Sequence, residues 1–197
     1  YLDSGVVAAQ PGSGKAITAY FQHWVEQVEL VCEPIVLQGG EASKTGLDAV
    51  GRIVAQIASH ALDRQSYFAI VGGGAVLDAA GLAASLVHRG MRVVRIPTTV
   101  VAQNDVGVGV KTGLDAHGAK NLIGTFAPPF AVINDFDFLP LLGDVDWRGG
   151  IAEAFKVAII KDREFFDFLC ARADSLRGRD QSAMETLVRR CAALHLE

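Results

Sequence analysis

The 197-residue sequence lacks a long uninterrupted apolar run, a basic stripe and any pair of cysteines in CxxC spacing. Without a run of about 18 apolar residues, a membrane-spanning helix is not expected, although 50% of the residues are hydrophobic. The formal net charge of −4, with both signs interspersed, argues against a nucleic-acid-binding surface. The length and the hydrophobic content predict one sizeable core with an appendage.

The cysteines are few and widely separated, at Cys32, Cys170 and Cys191. Their odd number and their spacing predict buried free thiols in a reducing cytoplasm, rather than disulfides or a thiolate zinc site. The chain also begins at Tyr1 without an initiator methionine or a signal-peptide pattern, so we interpret this end as a cut end.

Two periodicities alternate along the first part of the chain. Short apolar or β-branched runs, several of them bounded by Gly or Pro, are typical of buried parallel strands. These runs are 31–37, 67–71, 91–96 and 130–133. Between them, apolar residues recur at helical spacing in segments 16–29, 46–61 and 75–88. Strands that alternate with helices predict an α/β fold with a Rossmann-like parallel sheet.

The pattern changes after Pro140. Segments 147–161, 164–172 and 181–197 have helical periodicity, and we find no strand pattern among them. We therefore predict an α/β domain over residues 1–144 and the beginning of an all-helical domain over residues 145–197. The last predicted helix reaches the final residue without a stop signal, so we expect this second domain to be truncated.

A glycine-rich turn follows the second predicted strand, in the segment 67–78 (YFAIVGGGAVLD). Unshielded backbone N–H groups at the start of a helix form an anion site that suits a pyrophosphate. The alternative is that the three glycines mark only a tight turn. The segment is not a GxGxxG fingerprint, and 11–15 (PGSGK) does not complete a Walker loop, so Lys15 is interpreted as a solvated residue before a helix.

A second polar segment, 103–124, combines five glycines with Asp105, Lys111, Lys120 and Asn121 and has almost no helix-forming pattern. It lies between two buried-looking runs. Such a segment is costly to order unless it lines a site, and we therefore predict an active-site loop.

The ordered combination of motifs resembles the dehydroquinate synthase family of sugar phosphate cyclases. The motifs are GGEASK at 39–44, GGGAVLD at 72–78, RG at 89–90, IPTT at 96–99, QND at 103–105 with KTG at 111–113, GAKN at 118–121 and GIAEAFK at 150–156. The resemblance implies an NAD- and metal-dependent lyase that acts in aromatic amino acid biosynthesis. In this chemistry NAD transiently oxidises a hydroxyl of a seven-carbon sugar phosphate, phosphate is eliminated, the ketone is reduced again, and an aldol step closes a carbocycle.

The resemblance also implies the residues that contact NAD. They are Asp3, Glu41, Lys44, Gly73, Gly74, Asp78, Thr98 and Thr99, with Phe138 and Leu139 flanking the adenine. Carboxylates accept hydrogen bonds from ribose hydroxyls, glycine amides approach the pyrophosphate, and hydroxyls bond ribose or phosphate oxygens. Two alternatives stay open: Asp3 as a strand-end turn residue, and Phe138 with Leu139 as ordinary core.

At the substrate end, the resemblance implies catalytic roles for Asp105, Lys111, Asn121 and Lys156, with Lys111 and Lys120 also reaching the nicotinamide end of the cofactor. Lysines suit this place because the leaving phosphate develops negative charge. Arg89 matches a family arginine that reaches phosphate across a dimer interface, which implies a homodimer.

Glu153 matches the first metal ligand of the family, for zinc or cobalt. The family supplies two histidines from further along the helical domain. None of the five histidines here falls in a matching place, so each is interpreted as a surface or core residue: His23, His60, His88, His117 and His195. We therefore expect one of three protein ligands in this chain, and no turnover by the chain alone.

One departure bears on the substrate. Typical dehydroquinate synthases carry Asp-Ser-Ser-Val-Gly-Gly-Lys, where this chain has DVGVGVK at 105–111, a version closer to valiolone-type cyclases. We expect the loss of serine hydroxyls near the substrate to alter which sugar is accepted. Two more distant alternatives are an iron-type alcohol or glycerol dehydrogenase and a non-catalytic nucleotide-binding module. Net NADH production with simple alcohols would indicate the dehydrogenase.

Overall fold

The computed structural model describes residues 1–24 and 26–197. Its centre is a five-stranded, wholly parallel sheet in the order β2-β1-β3-β4-β7. The strands are β1 (Leu2–Asp3), β2 (Val36–Leu37), β3 (Tyr67–Gly72), β4 (Arg92–Pro97) and β7 (Ala131–Val132). The predicted α/β fold with a Rossmann-like sheet is confirmed, although β2 and β7 are shorter than the apolar runs that predicted them.

Four helices accompany the sheet: α1 (Ser4–Ala9), α2 (Ser13–His23), α3 (Asp48–Ser59) and α4 (Gly74–Leu86). α4 is buried on nearly all sides and packs with α3, β3 and β4 into the main hydrophobic core. The predictions of helices at 46–61 and 75–88 are confirmed. The helix predicted over 16–29 ends at His23, and residue 25 of that prediction lies outside the described residues.

The prediction of an active-site loop over 103–124 is wrong for most of its length. Residues 102–106 form a π-helical turn and 107–110 an irregular turn, whereas the rest is an antiparallel hairpin of β5 (Lys111–Ala116) and β6 (Ala119–Phe126). The turn uses His117 and Gly118, both with positive φ (50° and 78°), as a two-residue hairpin turn requires. Gly113 lies opposite Gly124, where an added Cβ would meet backbone atoms at 3.1 Å and 2.4 Å respectively. Gly113 and Gly124, two of the five glycines that suggested a loop, are therefore packing positions of a sheet.

The remaining helices are α5 (Asp144–Lys161), α6 (Arg163–Ala171), α7 (Ala173–Arg177) and α8 (Gln181–Leu196). α6 and α8 begin at aspartate caps: the carboxylate of Asp162 accepts from the Phe165 N–H at 3.0 Å, and that of Asp180 from the Ala183 N–H at 3.1 Å. No described helix is both long and apolar enough to span a bilayer.

The helices after residue 143 share a second core with part of the preceding segment. Trp147 is 1% exposed and donates its indole N–H to the Leu176 carbonyl at 2.7 Å. Val100 and Leu139, which precede the helical segment in the sequence, are buried in this same cluster. The division into domains 1–144 and 145–197 stays a prediction.

The three cysteine thiols are free. Cys191 is buried and Cys32 is half-buried, but Cys170 is exposed, so the prediction of buried thiols is wrong for Cys170. Its position on α6 explains the difference, because the apolar face of that helix is carried by Phe165 and Leu169 instead.

Candidate active site

A cavity of about 900 Å³ lies at the carboxyl ends of β1, β3 and β4. It includes most of the residues predicted to contact NAD. These residues are Asp3, Glu41, Lys44, Gly73, Gly74, Asp78, Thr98, Thr99 and Phe138. Leu139 does not line the cavity, because it is buried in the helical core. Parallel strands end at one edge of a sheet, and their carboxyl ends are where such folds bind ligands.

Asp3 occupies the centre of a crowded turn. Its carboxylate accepts hydrogen bonds from the N–H groups of Gly5 at 2.8 Å and Gly73 at 3.1 Å. A Cβ at Gly39 would lie 2.1 Å from Asp3 Oδ1, and one at Gly72 would lie 2.8 Å from Asp3 Cβ. Asp3 therefore fastens the end of β1 to the glycine turn, a role that fits the alternative interpretation of it as a strand-end turn residue. Its contact with a cofactor stays a prediction.

Lys44 connects three segments of the site. Its ammonium donates to Asp78 Oδ2 and to Asn121 Oδ1, both at 2.7 Å, and the residue is 8% exposed. Burial raises the pKa of the Asp78 carboxyl, while the hydrogen bond from Lys44 opposes the rise. The contact joins the 3₁₀ turn Glu41–Lys44, helix α4 and the hairpin.

Arg95 is a functional candidate that sequence reasoning missed. It lies in the middle of β4 and is 2% exposed, and its Nη1 donates to the carbonyls of Val106, Gly107 and Gly109 at 3.3, 3.2 and 2.6 Å. These carbonyls belong to the segment that follows Asp105. Arg95 thus acts as a positioning residue for that segment. An arginine with apolar neighbours on both sides in the middle of a predicted strand was the available signal, since a buried guanidinium must find acceptors.

Two buried amides hold the π-helical turn in place. Gln103 Nε2 donates to the carbonyls of Pro97 at 3.1 Å and Asp135 at 2.7 Å, and Asn104 Nδ2 donates to the Gly150 carbonyl at 2.9 Å. A Cβ at Gly150 would lie 2.1 Å from the Val100 side chain. Only glycine at position 150 therefore lets α5 approach the turn this closely. This close approach brings Asp105 on the turn beside Glu153 on α5.

Asp105, Glu153 and His195 form a cluster in which one ligand atom of each lies within 4.8 Å of the others. His195 Nε2 is 3.2 Å from Asp105 Oδ1 and 3.8 Å from Glu153 Oε1. Lys156, whose side chain is 59% exposed, forms an ion pair with Glu153. Burial and then the neighbouring Glu153 charge raise the pKa of Asp105, against the opposing effects of His195, Lys156 and Lys111.

The interpretation of His195 as a surface or core histidine, and not a metal ligand, stays a prediction, although the residue lies close to both carboxylates. Its side chain is 20% exposed and turned toward the two carboxylates. The signal was its spacing on α8, because His195 follows the buried Cys191 by four residues and the buried Val188 by seven, which places all three on the inner face. The other four histidines are exposed, as expected: His23, His60, His88 and His117.

Three predicted cations lie on the surface. Lys111 and Lys120 are exposed on the hairpin, although Lys111 is close enough to lower the pKa of Asp105. Arg89 is also exposed, with φ of 66°, and lines a separate cavity together with Asp63, Arg64 and His88. Their roles toward a phosphate stay predictions.

Comparison with known proteins assigns this arrangement to a family. The family model for the 3-dehydroquinate synthase N-terminal region matches residues 34–148, more than half of the chain. The chain belongs to the 3-dehydroquinate synthase family. Its members include a 3-dehydroquinate synthase of Blochmanniella floridana, which is 36% identical over 166 residues, covering 84% of this chain and 45% of the relative. A 2-epi-5-epi-valiolone synthase of Streptomyces glaucescens is 41% identical over 152 residues, covering 77% of this chain and 39% of the relative.

Solved structures of the family agree with the fold. ValA, a 2-epi-5-epi-valiolone synthase from Streptomyces hygroscopicus subsp. jinggangensis with NAD⁺ and Zn²⁺ bound, superposes with a TM-score of 0.88 at 33% identity, over 99% of this chain and 53% of its own. A 2-deoxy-scyllo-inosose synthase complexed with carbaglucose-6-phosphate, NAD⁺ and Co²⁺ has a TM-score of 0.77 at 26% identity, over 98% of this chain and 51% of its own. This member of the family therefore spans about half the length of the relatives it matches.

The distant alternative shares the fold alone. An iron-containing alcohol dehydrogenase from Thermotoga maritima superposes with a TM-score of 0.69 at 15% identity, over 99% of this chain and 60% of its own. Similarity at this level shows that proteins other than the cyclases share the fold, but it does not imply a shared reaction.

Proposed function

We propose that the chain is the NAD-binding part, and the beginning of the metal and substrate part, of a sugar phosphate cyclase. The observation that carries this proposal is the continuity of the two sites. Val106 and Gly149 line the large cavity, and they lie one residue from Asp105 and about one helical turn from Glu153 respectively. A cofactor in the cavity would therefore end beside the carboxylate and imidazole cluster.

The cavity fits a dinucleotide by its shape and by its donors. A Cβ at Gly73 would come within 3.3 Å of the Thr99 side chain, and one at Gly74 within 3.3 Å of Val106, so any other residue would narrow the space for a pyrophosphate. α4 begins here without a side-chain cap, and its first N–H groups have no acceptor within the helix. When bound, NAD would accept a hydride from the substrate and return it later in the cycle.

The chain's own residues would bind and orient the substrate at the far end of the cavity. Glu153 would hold a divalent ion such as zinc or cobalt, which polarises substrate oxygens when bound. Asp105, with its raised pKa, is placed to hold or release a proton beside these oxygens. Lys111, Lys120 and Arg89 would bind anionic groups of the substrate, Arg89 from the second subunit of a homodimer.

Two substrates are consistent with this proposal. The 3-dehydroquinate synthase interpretation predicts 3-deoxy-arabino-heptulosonate 7-phosphate, and the valiolone interpretation predicts sedoheptulose 7-phosphate. The likeness to ValA favours the second candidate, as does the hydroxyl-free Val106 that packs against Gly74. Neither substrate changes the cyclase chemistry proposed here.

Phosphate release tests both the reaction and the substrate. The full-length protein that contains this chain is incubated with each heptulose phosphate, with NAD and Zn²⁺ present or omitted. We expect phosphate release without net accumulation of NADH, with one substrate strongly preferred. Steady NADH production from glycerol or simple alcohols, with no phosphate release, would contradict the proposal and favour a dehydrogenase.

A further inference from the structure

One side of the large cavity is formed by the segment that leads into α5. Leu141, Leu142, Gly143 and Val145 line the cavity there. The side chains of Leu141 and Val145 are exposed rather than packed into either core, so they are available to a bound molecule. Aromatic bases pack against apolar side chains, whereas sugars and phosphates need polar partners. This side of the cavity therefore suits the adenine ring of a dinucleotide.

The same segment lies at the end of the cavity away from the carboxylate cluster. Val145 precedes Glu153 by eight residues in α5. At a rise of about 1.5 Å per residue, the two positions are about 12 Å apart along the helix axis. Phe138, which is predicted to flank the adenine, also lines the cavity and lies shortly before the segment. A cofactor whose nicotinamide ends beside Glu153 thus has its adenine within reach of this segment.

The segment is held from outside the cavity by Arg179, in the turn between α7 and α8. Its Nη2 donates to the carbonyls of Leu142 at 2.7 Å and Pro140 at 3.2 Å. Its Nη1 donates to Asp144 Oδ1 at 3.2 Å. A guanidinium is a planar fork with five N–H donors, so one side chain can bond to several acceptors at once. Arg179 therefore joins both ends of the segment to the helices that follow it.

Arg179 is fixed in turn by its own surroundings. Its φ of 66° lies in the left-handed region, which is costly for a residue other than glycine and persists where contacts hold it. Its guanidinium lies 4.8 Å from the centroid of the Trp147 ring, a cation–π contact. Trp147 is buried, and its indole N–H bonds to the Leu176 carbonyl. The turn after α7 and the start of α5 thus hold each other in place.

We propose that Arg179 is a positioning residue for the adenine end of the cofactor. By bonding to the carbonyls of Pro140 and Leu142, it fixes the apolar wall against which the adenine ring packs. Arg179 is not among the residues that line the cavity, so it acts through the segment and not on the cofactor itself. The proposal rests on the proposed function, which places NAD in this cavity, and extends it by assigning a role in cofactor binding to the helices after α5.

AMP and nicotinamide mononucleotide, which carry the two ends of NAD, distinguish this role from a general loss of structure. Each is titrated into the 197-residue chain and followed by NMR. Arg179→Met keeps a similar length but deletes the guanidinium. We expect it to bind AMP at least roughly fivefold more weakly, because the wall is no longer held in its binding position, and to bind nicotinamide mononucleotide as before. Arg177→Met, whose side chain is 76% exposed on α7, is the matched control and should bind both as the unmutated chain does.

Three results would overturn the proposal. Circular dichroism first establishes that each variant is folded. Unchanged AMP affinity in folded Arg179→Met would remove its role, and equal weakening for both mononucleotides would indicate a general effect on the structure. A further measurement uses the unmutated chain and so does not depend on how a variant folds: AMP should shift the amide resonances of Leu142 and Val145 more than nicotinamide mononucleotide does. Equal or absent shifts at saturation would also contradict the proposal.

The same experiments separate this inference from the proposed function. If Arg179→Met binds AMP normally while the full-length protein still releases phosphate with NAD, the inference fails and the proposed function stands. If the unmutated chain binds neither AMP nor NAD, both fail.

Discussion

At the scale of single residues, the site depends on buried cations that join segments distant in sequence. Lys44 contacts both Asp78 and Asn121, and Arg95 contacts three backbone carbonyl groups near Asp105. Such groups are costly to bury alone and become favourable only when every acceptor is in place. Each of them is therefore a sensitive point for both stability and binding.

Asp78→Asn tests the first of these contacts. The change keeps the shape but removes the charge that pairs with Lys44, so we expect NAD affinity to fall by about 1–3 kcal/mol. Calorimetry with NAD on the 197-residue chain measures this. Asp48→Asn, at an exposed position on α3, is the control. Identical affinities for the two variants would remove Asp78 from the cofactor site.

Arg95→Met tests the second contact. Methionine occupies much of the same space but leaves the carbonyls of Val106, Gly107 and Gly109 without their donor, so we expect a loss of roughly 2–4 kcal/mol in the free energy of unfolding. Urea unfolding followed by circular dichroism gives the value. Arg92→Met, three residues earlier and on the more exposed face of β4, should cost clearly less. Equal losses would mean that the three carbonyls find other donors.

At the scale of elements, a residue that caps one helix also holds the neighbouring helix in position. Asp162 caps α6 and pairs with Arg190 on α8, the helix that carries His195. A change at this cap therefore reaches the site through a neighbouring helix, without any contact with a ligand. The link is electrostatic, and it depends on pH.

Acid should weaken this link in a defined range. The Phe165 N–H, and after it Arg190, hold the pKa of Asp162 below its usual range. A lowered folded-state pKa stabilises the protein above the unfolded value, about 3.9, and this stabilisation is lost as the pH falls through the lower folded value. We expect Asp162→Asn to unfold more easily than the unmutated chain at neutral pH and to lose less stability below about pH 4. Urea midpoints measured across this range check the slope, and parallel curves for the two proteins would contradict it.

Sequence patterns predicted the elements whose burial is regular. β3, β4, α3 and α4 follow clear periodicities, and each was predicted within a few residues. The hairpin was missed because its glycines are required by cross-strand packing and by the turn, whereas glycine in an isolated sequence indicates a loop. α1 was missed because six residues are too few to show a period.

At the scale of the whole molecule, the candidate site combines residues that periodicity cannot bring together. The family resemblance predicted Asp105 and Glu153 but not their contact with His195, which arises when α8 folds back onto the π-helical turn. Arg95 was missed for a related reason, because its acceptors are backbone carbonyls and leave no mark in the sequence. Motifs therefore predicted which residues are polar and functional, while tertiary packing decided which of them meet.

The proposed roles of the exposed Lys111 and Lys120 in substrate binding can be tested only in the full-length protein. Lys111→Met and Lys120→Met keep apolar bulk and delete the ammonium, so each should lower kcat/KM for the sugar phosphate by at least roughly tenfold, or about 1.4 kcal/mol of transition-state stabilisation. Phosphate release and NAD affinity are measured together. Lys15→Met, on α2, is the control with an equally exposed lysine. Unchanged rates in both hairpin variants would leave these lysines as solvated surface residues.

The crowding around Asp3 restricts how this family member can change its sequence. The carboxylate occupies the space that a side chain at Gly39 or Gly72 would need, since the added Cβ atoms would lie 2.1 Å and 2.8 Å from Asp3 atoms. A single substitution at either glycine collides with Asp3, and loss of Asp3 leaves the Gly73 N–H without its acceptor. The effects of substitutions at Asp3, Gly39 and Gly72 therefore depend on one another. A different turn would require several of these residues to change together, and single mutations would pass through destabilised proteins.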